Sequence, residues 1–301
     1  MENNGVKFIG IETPIGSFNV WTKKIGNNPG IKILILHGGP GMTHEYLECF
    51  ESFFPQSGFE MIEYDQLGSF YSDQPTDESL WTLPRFVDEV EQVRQKLNLN
   101  KDNFYLLGHS FGGMLAMHYA AKYRENIKGL IICNMMASFP EYNKYIGELR
   151  SRMPRLTVDR LEAYENKGLY KDAGYQALVT QEFHMKHWCR LPQFPEPVMR
   201  TLAHNNIAIN EFALGQNPFK VSGSFMDLDI STELKNIKVP TLVVGAKYDI
   251  MDPEYLRWMS TQFPHGSYLY CENGSHTPMW DDQQTFMTGL INFINAIDKR
   301  N

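Results

Sequence analysis

Residues 103–123, NFYLLGHSFGGMLAMHYAAKY, decide the fold. The first five residues form an apolar run that predicts a buried strand, and residues 112–123 predict an alanine-rich helix. Between them, GHSFG at residues 108–112 has the form G-x-S-x-G. At a sharp strand-to-helix turn, this pattern holds the serine strained and exposed at the helix N-terminus. Ser110 is therefore predicted to be a nucleophile. The alternative is a structural serine in an ordinary glycine-rich turn.

Further strand and helix patterns lie on both sides of this stretch. An opening segment at about 5–22 carries two short runs joined by Pro14, Ile15 and Gly16, which predicts an antiparallel hairpin. Apolar residues at helical spacing predict a helix at 83–97. Strands that alternate with helices predict an α/β fold with a mostly parallel central sheet. The other predicted strands are residues 31–36, 59–64, 128–134, 239–244 and 267–271.

The composition changes between about residues 140 and 234. Helical patterns there are broken by proline, Tyr, His, Arg and Met are frequent, and no strand is evident. A segment of this length is too long for a structureless loop within a domain. We predict a core domain at residues 1–139 and 235–301, with a helical cap at 140–234 that closes a pocket and excludes water.

An acid and a base for the serine follow later in the chain. A serine nucleophile needs a histidine that takes its proton and a carboxylate that orients the imidazole. Asp249 follows the apolar run TLVVG, and His276 follows the run SYLYC. The order Ser110, Asp249, His276 is the one that α/β-hydrolases use. Asp249 could instead be a turn residue, with Asp252 as the fallback acid, and His276 could be a surface histidine.

A glycine-rich turn, HGGPG at residues 37–41, directly follows the strand-like run IKILIL. As a serine attacks, charge builds on the carbonyl oxygen, and backbone N–H groups must already point at it. Glycine lets the main chain approach closely because it has no Cβ. We predict that the N–H groups of Gly39 and Phe111 are the oxyanion donors. The alternative is a turn with structural duties only.

The composition limits the partners. The chain has 28 Lys and Arg against 35 Asp and Glu, and its net charge of −7 has the wrong sign for a nucleic-acid-binding protein. No apolar stretch of roughly 18 residues could span a bilayer, and the first ten residues carry no secretory signal. We expect a cytoplasmic protein without a nucleic-acid or membrane partner. The sequence leaves the oligomeric state open.

No cofactor and no metal are expected. Neither of the phosphate-binding sequences G-x-x-x-x-G-K and G-x-G-x-x-G is present. His184 and His187 lie three residues apart on a predicted helix, but no carboxylate or cysteine accompanies them at a metal-site spacing. Packing or hydrogen bonding is the simpler explanation for both. The four cysteines include no C-x-x-C pair and are predicted to be buried thiols.

Five motifs carry a resemblance to a known family. HGGPGMTHEYL, YDQLGS, GHSFGG, VVGAKYD and GSHTPMW, in that order, resemble the proline iminopeptidase (prolyl aminopeptidase) branch of the α/β-hydrolases, which includes the tricorn-interacting aminopeptidase. The resemblance implies an α/β-hydrolase fold with an inserted helical cap. It also implies a metal-free serine hydrolase that removes an N-terminal residue, often proline, from short peptides or amides. By position it assigns Ser110, Asp249 and His276 as the triad, with Gly39 and Phe111 as oxyanion donors.

The substrate-binding positions depart from this branch. An aminopeptidase must hold a protonated amine, and this needs carboxylates because an unpaired buried charge is costly. The glutamates that serve in tricorn-interacting relatives correspond here to Pro218 and Ile250. Glu182 or Glu211 could substitute for them. Phe70 replaces a glycine of the family run D-Q-x-G-x-G-x-S, so it could place a ring in the pocket or pack under the cap.

The predicted function is hydrolysis of a small amide or ester through an acyl-enzyme, with a short peptide or other small molecule as substrate. The resemblance favours an aminopeptidase or amino-acid amidase. Because the two glutamates are missing, the alternative is an esterase, lactonase or amide hydrolase acting on a substrate without a free amine. A third possibility is a binding protein that kept the fold without turnover. A haloalkane dehalogenase or epoxide hydrolase would carry Asp at the position of Ser110.

Overall fold

A computed structural model describes residues 5–299 and contains an eight-stranded sheet. Across the sheet the strand order is β1-β2-β4-β3-β5-β6-β7-β8, and every neighbouring pair from β4 to β8 is parallel. This arrangement confirms the predicted α/β fold with a mostly parallel sheet. The strands are β1 (Val6–Thr13), β2 (Gly16–Ile25), β3 (Lys32–Leu36), β4 (Glu60–Tyr64), β5 (Phe104–His109), β6 (Gly129–Cys133), β7 (Thr241–Ala246) and β8 (Gly266–Cys271).

The N-terminal hairpin is formed as predicted. β1 and β2 are antiparallel with Thr13 opposite Gly16, so that Pro14 and Ile15 make a two-residue turn. β2 also pairs antiparallel with β4, which attaches the hairpin to the parallel part of the sheet. The strands predicted from apolar runs are all present, although their ends differ from the predicted ones by a residue or two.

The central strands are apolar on both faces because packed elements cover both. Along β3, Leu34 and Leu36 pack into the apolar cluster on one side of the sheet, and Ile33 and Ile35 pack into the cluster on the other. None of these four side chains is more than 2% exposed. Burial on both faces explains why such strands appear in the sequence as continuous apolar runs.

Ten α helices lie within the described residues. They are α1 (Leu83–Lys96), α2 (Phe111–Tyr123), α3 (Phe139–Ser151), α4 (Arg155–Glu165), α5 (Ala173–Val179), α6 (Glu196–Ala203), α7 (Ile207–Leu214), α8 (Pro253–Gln262), α9 (Pro278–Asp281) and α10 (Gln283–Asp298). α1, α2 and α8 contribute to the cluster on one face of the sheet, whereas α10 and the 3₁₀ segment His44–Ser52 contribute to the cluster on the other. α8, α9 and α10 were not predicted, although Phe286, Leu290 and Ile294 recur in α10 at helical spacing.

The segment between residues 140 and 234 is helical, as its composition indicates. It holds most of α3, all of α4 to α7, and a π-helical segment at Thr180–Trp188 that continues from α5. Its Asp229 forms an isolated antiparallel bridge with Ser138, which precedes the segment. The division into a core at 1–139 and 235–301 and a cap at 140–234 stays a prediction. No helix within residues 5–299 is both long and apolar enough to cross a bilayer.

Candidate active site

Ser110 lies at the turn between β5 and α2. Its backbone has φ 53° and ψ −129°, a conformation that residues other than glycine rarely adopt. Its N–H donates to the carbonyl oxygen of Cys133 at the end of β6 (3.0 Å), and its own carbonyl oxygen accepts from the N–H of Gly113 (2.7 Å). Neighbouring strand and helix thus hold a strained backbone at the carboxyl edge of the sheet, as a serine nucleophile requires.

The two glycines of the G-x-S-x-G sequence are required by close packing. A Cβ on Gly108 would collide with the carbonyl oxygen of Gly112. A Cβ on Gly112 would collide with the carbonyl oxygen of Leu36 at the end of β3. The start of α2 therefore packs directly against two neighbouring strands. Only residues without a side chain permit this approach, which aims the helix N-terminus at the site.

Asp249 and His276 meet at the same edge of the sheet. Asp249 follows β7 and His276 follows β8, and these strands are parallel neighbours whose carboxyl ends lie side by side. Asp249 Oδ1 is 2.8 Å from His276 Nδ1, and both side chains are buried. An imidazole that donates its Nδ1 proton to a carboxylate keeps Nε2 free to accept a proton from a serine.

Asn134, which the sequence analysis missed, holds the carboxylate from the other side. It follows β6 with φ 53°, and its side-chain amide donates to Asp249 Oδ2 (2.7 Å). Its backbone N–H donates to the carbonyl oxygen of Val244 in β7 (2.9 Å). Asparagine tolerates a left-handed backbone better than most residues. The signal available in the sequence was an asparagine directly after a buried strand, next to the strand that carries the acid.

The imidazole of His276 lies beside the serine turn. His109 Nε2 donates to the carbonyl oxygen of His276 (2.7 Å), and the centroids of the two rings are 4.9 Å apart. The Ser110 hydroxyl makes no hydrogen bond to the part of the chain that the structure describes. Catalytic hydrogen bonds are often long without substrate and tighten in the complex. The structure thus brings the three predicted triad residues to one edge, with the acid–base pair already formed.

The HGGPG loop approaches Ser110 from the end of β3. A Cβ on Gly38 would lie 3.0 Å from the Cβ of Ser110, which is tighter than most side-chain contacts. Gly39 and Phe111 both line the cavity that contains Ser110. Phe111 is the first residue of α2, so its N–H has no acceptor within the helix. These two residues therefore adjoin the serine, and their role as oxyanion donors stays a prediction.

A chain of hydrogen bonds links this loop to the serine turn and to the histidine loop. The N–H of Gly38 donates to the Tyr46 hydroxyl (2.8 Å), which in turn donates to His109 Nδ1 (2.8 Å). Burial lowers the pKa of His109 well below its ordinary value. The ring is therefore neutral, and its single proton is the one that Nε2 donates to His276. Tyr46 belongs to no catalytic motif, and the sequence analysis did not identify it.

The π-helical segment of the predicted cap contacts the loops that carry the acid and the base. The N–H of His276 donates to the carbonyl oxygen of His187 (2.9 Å), and the hydroxyl of Ser275 donates to the carbonyl oxygen of Trp188 (3.0 Å). The ring of His187 donates from Nδ1 to the carbonyl oxygen of Tyr248 (2.9 Å), which precedes Asp249 in the chain. His187 is therefore hydrogen-bonded, but to the loops that carry Asp249 and His276 and not inside the helical segment, where we expected its partners.

A small cavity opens at Ser110. It measures about 80 Å³, and Ser110, Gly39 and Phe111 form one side of it. Its other walls are apolar or aromatic and carry no carboxylate among the lining residues that the structure describes. These walls include Ile250, one of the two residues that stand where tricorn-interacting relatives have glutamates. The cavity therefore suits a small apolar group next to the serine. These walls consist of Met135, Phe139, Tyr142, Leu214, Val221, Ile250 and Met251.

Phe70 is not part of this cavity wall. Its side chain is 47% exposed, and its ring stacks on that of His204, which follows α6, with 3.8 Å between the ring centroids. The contact joins the D-Q-L-G-S loop to the helical segment. This arrangement is close to the alternative in which the ring packs against the cap. A role for Phe70 in substrate binding stays a prediction.

Glu182 and Glu211 also lie outside this cavity wall, and each carboxylate is already paired. Glu182 contacts Lys186 one helical turn later (2.8 Å), and Glu211 contacts Lys171 (2.8 Å). Pro218, which stands at the other position of a family glutamate, lines a second cavity nearby. The described lining of the Ser110 cavity thus contains no carboxylate that could pair with a substrate amine. The two glutamates stay predicted binding residues.

The remaining candidate ligands do not converge. Within residues 5–299 no group of three or more His, Cys, Asp or Glu side chains is arranged to hold a metal ion. Burial lowers the pKa of His184 to about 4, so this ring is neutral. The four cysteines are free and buried, as predicted.

Comparison with known proteins identifies the family. A profile described as "alpha/beta hydrolase fold" matches residues 32–283. Proline iminopeptidase from Flavobacterium johnsoniae is 52% identical over 291 residues, which cover 96% of this chain and 98% of that protein. Proline iminopeptidase from Elizabethkingia meningoseptica is 50% identical over 294 residues, covering 97% and 99%. The chain belongs to the proline iminopeptidase family of α/β-hydrolases. The resemblance that the motifs indicate is therefore confirmed.

Solved structures agree with this assignment. The crystal structure of VinJ superposes with a TM-score of 0.90 at 26% identity and covers 97% of this chain and 99% of that chain. That of proline iminopeptidase from Mycobacterium smegmatis superposes with a TM-score of 0.86 at 25% identity, with the same coverage. The α/β-hydrolase fold of this proline iminopeptidase family member thus extends over nearly its whole length.

Proposed function

We propose that this protein is a serine hydrolase that removes an N-terminal proline, or a residue like it, from short peptides and amino-acid amides. The observation that carries the proposal is the buried Asp249–His276 pair beside the strained Ser110 turn. In a member of the proline iminopeptidase family, this arrangement supports acyl-enzyme hydrolysis. It argues against a binding protein, which would have no need for a strained serine next to an oriented imidazole.

In the proposed mechanism Ser110 Oγ attacks the carbonyl carbon of the N-terminal residue. His276 Nε2 takes the hydroxyl proton, while Asp249 stabilises the imidazolium that forms. The N–H groups of Gly39 and Phe111 bind the developing oxyanion, and loss of one such donor costs about 3 kcal/mol of transition-state stabilisation. The C–N bond breaks, and the leaving amine takes the proton from His276. Water, deprotonated by the same imidazole, then releases the free amino acid.

The apolar cavity at Ser110 supports a small residue such as proline on the acyl side. Burying the pyrrolidine ring against Phe139, Ile250 and Met251 removes apolar surface from water. The substrate amine still needs an anionic partner, because an uncompensated buried charge is costly. We keep Glu182 and Glu211 as candidates. Either would have to exchange its present lysine partner for the substrate. Phe70 stays a candidate for contacts at the rim.

Three substrates and one variant test the proposal. Proline p-nitroanilide should be hydrolysed, whereas N-acetylproline p-nitroanilide, which lacks the free amine, should not. A fluorophosphonate probe should label the protein, and Ser110→Ala should abolish labelling and lower kcat by a factor on the order of 10⁶ without changing the circular dichroism spectrum.

Hydrolysis of the acetylated substrate or of p-nitrophenyl acetate in preference to proline p-nitroanilide would favour the alternative, an enzyme for substrates without an amine. The relatives do not favour that alternative. Unimpaired turnover by Ser110→Ala would reject the mechanism. The substrate is the one partner that the proposal requires. A cytoplasmic location and the absence of nucleic-acid and membrane partners stay predictions.

A further inference from the structure

A second cavity adjoins the one at Ser110. It measures about 180 Å³ and shares Tyr142, Leu214 and Val221 with the walls of the first. None of the three predicted triad residues lines it. A substrate whose N-terminal residue fills the small cavity can therefore extend past Tyr142 into the second one.

The walls of the second cavity combine polar and apolar side chains, whereas those of the first are mainly apolar. The polar side chains in it are Gln176, His184, Asn210, Gln216, Asn217 and Lys220. No carboxylate stands among the lining residues that the structure describes, and His184 is neutral because burial lowers its pKa to about 4. Lys220 is therefore the charged group in this wall. Three of the four amides already donate a hydrogen bond within the protein, to the carbonyl oxygens of Tyr170 and Pro40 and to the carboxylate of Glu211. The ammonium group of Lys220 is therefore the part of this wall that suits an anionic group.

Lys220 has a fixed backbone and an unengaged ammonium group. Its neighbours Phe219 and Val221 are buried, and both backbone polar groups of Val221 are hydrogen-bonded to the side chain of Asn143 in α3 (2.8 and 3.0 Å). The side chain of Lys220 makes no ion pair or hydrogen bond with residues 5–299. Lys220 is exposed, so the chain holds a hydrated cation without a protein partner at the edge of this cavity.

Other cations nearby are already neutralised. Lys171 is paired with Glu211 (2.8 Å), and Arg150 is paired with Glu165 (2.7 Å). An added carboxylate would have to displace a protein carboxylate from either of them. It would meet no such competitor at Lys220.

We propose that the second cavity is a leaving-group site in which Lys220 binds the C-terminal carboxylate of short peptides, so that the preferred substrates are proline-initiated peptides of very few residues. This inference rests on the proposed function, because it presupposes that proline occupies the cavity at Ser110. Lys220 is a specificity-determining residue in this scheme. The bond that breaks and the groups that carry the proton are those of the mechanism above.

The experiment compares prolylalanine, which ends in a carboxylate, with prolylalaninamide, which is neutral at that end. The wild-type protein should prefer the carboxylate in kcat/KM, mainly through a lower KM. Lys220→Gln should lower the ratio of the two kcat/KM values about tenfold, the size expected for one charge-assisted hydrogen bond near the surface. Lys220→Glu should reverse the preference, and Lys220→Arg should retain it.

A matched control removes a lysine charge elsewhere on the helical segment. Lys144→Gln, at an exposed residue of α3 paired with Glu141, should leave the ratio unchanged. A ratio that is the same in Lys220→Gln and the wild type overturns the inference while leaving the proposed function intact. Wild-type protein that fails to hydrolyse proline p-nitroanilide overturns the proposed function, and the inference with it.

Discussion

Replacing Tyr46 by phenylalanine should cost more stability than the loss of one hydroxyl usually does. The Tyr46 hydroxyl accepts the N–H of Gly38 and donates to Nδ1 of His109, and each of these bonds is 2.8 Å long. All three groups are buried. Phenylalanine keeps the ring and therefore the packing. The change leaves one backbone donor and one ring acceptor without a partner and without access to water.

The expected magnitude follows from the two orphaned groups. Leaving a buried donor or acceptor unpaired costs about 1–3 kcal/mol, so the two together should lower the free energy of unfolding by about 2–6 kcal/mol. His109 cannot avoid the loss by taking a second proton, because burial already lowers its pKa well below the ordinary value. The activity should fall as well, since Gly38 precedes a predicted oxyanion donor and His109 precedes Ser110.

Tyr105→Phe is the matched control. Tyr105 is also fully buried, but its hydroxyl has no hydrogen-bond partner within residues 5–299. Removing it should leave the stability unchanged or raise it, because an unpaired polar group is then no longer buried. Urea unfolding followed by circular dichroism gives the free energy for each variant, and proline p-nitroanilide gives kcat. Equal stabilities of Tyr46→Phe and Tyr105→Phe would refute the reasoning.

Two further predictions concern other buried polar groups. Burial raises the pKa of Glu63 to about 8 from an ordinary 4.5, so the native state holds a proton that the unfolded chain has lost. Stability should therefore fall as the pH rises from 4.5 to 8. In urea titrations the free energy of unfolding of Glu63→Gln should equal that of the wild type near pH 4 and exceed it by about 3 kcal/mol at pH 7. A difference between the two proteins that stays constant from pH 4 to pH 7 would contradict this prediction. Asn134→Gly, which keeps the left-handed backbone but removes the hydrogen bond to Asp249, should lower kcat about tenfold. Asn134→Ala should lower kcat equally and also reduce the unfolding free energy by about 1–2 kcal/mol more, through backbone strain. Full kcat in Asn134→Gly would show that the amide does not position the acid.

Local patterns allowed most of the fold to be predicted. Strands buried on both faces appear as apolar runs, and the serine turn needs glycines at fixed offsets because strand and helix touch there. The meeting of Asp249 and His276 could also be predicted, since each follows a strand and the carboxyl ends of parallel neighbours meet at one edge. These signals depend on a few consecutive residues each, so a single sequence contains them.

The supporting residues could not be found in this way. Tyr46 and His109 are 63 residues apart, Asn134 and Asp249 are 115 apart, and no spacing rule connects such pairs. Their hydrogen bonds exist only once the sheet has brought distant loops together. Among the predicted binding residues, the pairing of Glu182 was visible in advance because Lys186 lies one helical turn away. The pairing of Glu211 with a lysine 40 residues earlier was not.

The hydrogen bonds of the π-helical segment limit how the predicted cap can open. His187 accepts from the N–H of His276 and donates to the carbonyl oxygen next to Asp249, so it holds the loops of both the base and the acid. If the predicted cap lifted as one rigid body, these bonds would break, and the Asp249–His276 pair would lose this part of its support while Asn134 still held the carboxylate. We therefore expect substrate to enter while Thr180–Trp188 stays in place. We expect any opening motion to come from the other helices of the predicted cap, of which α7 lies next to both cavities through Asn210 and Leu214.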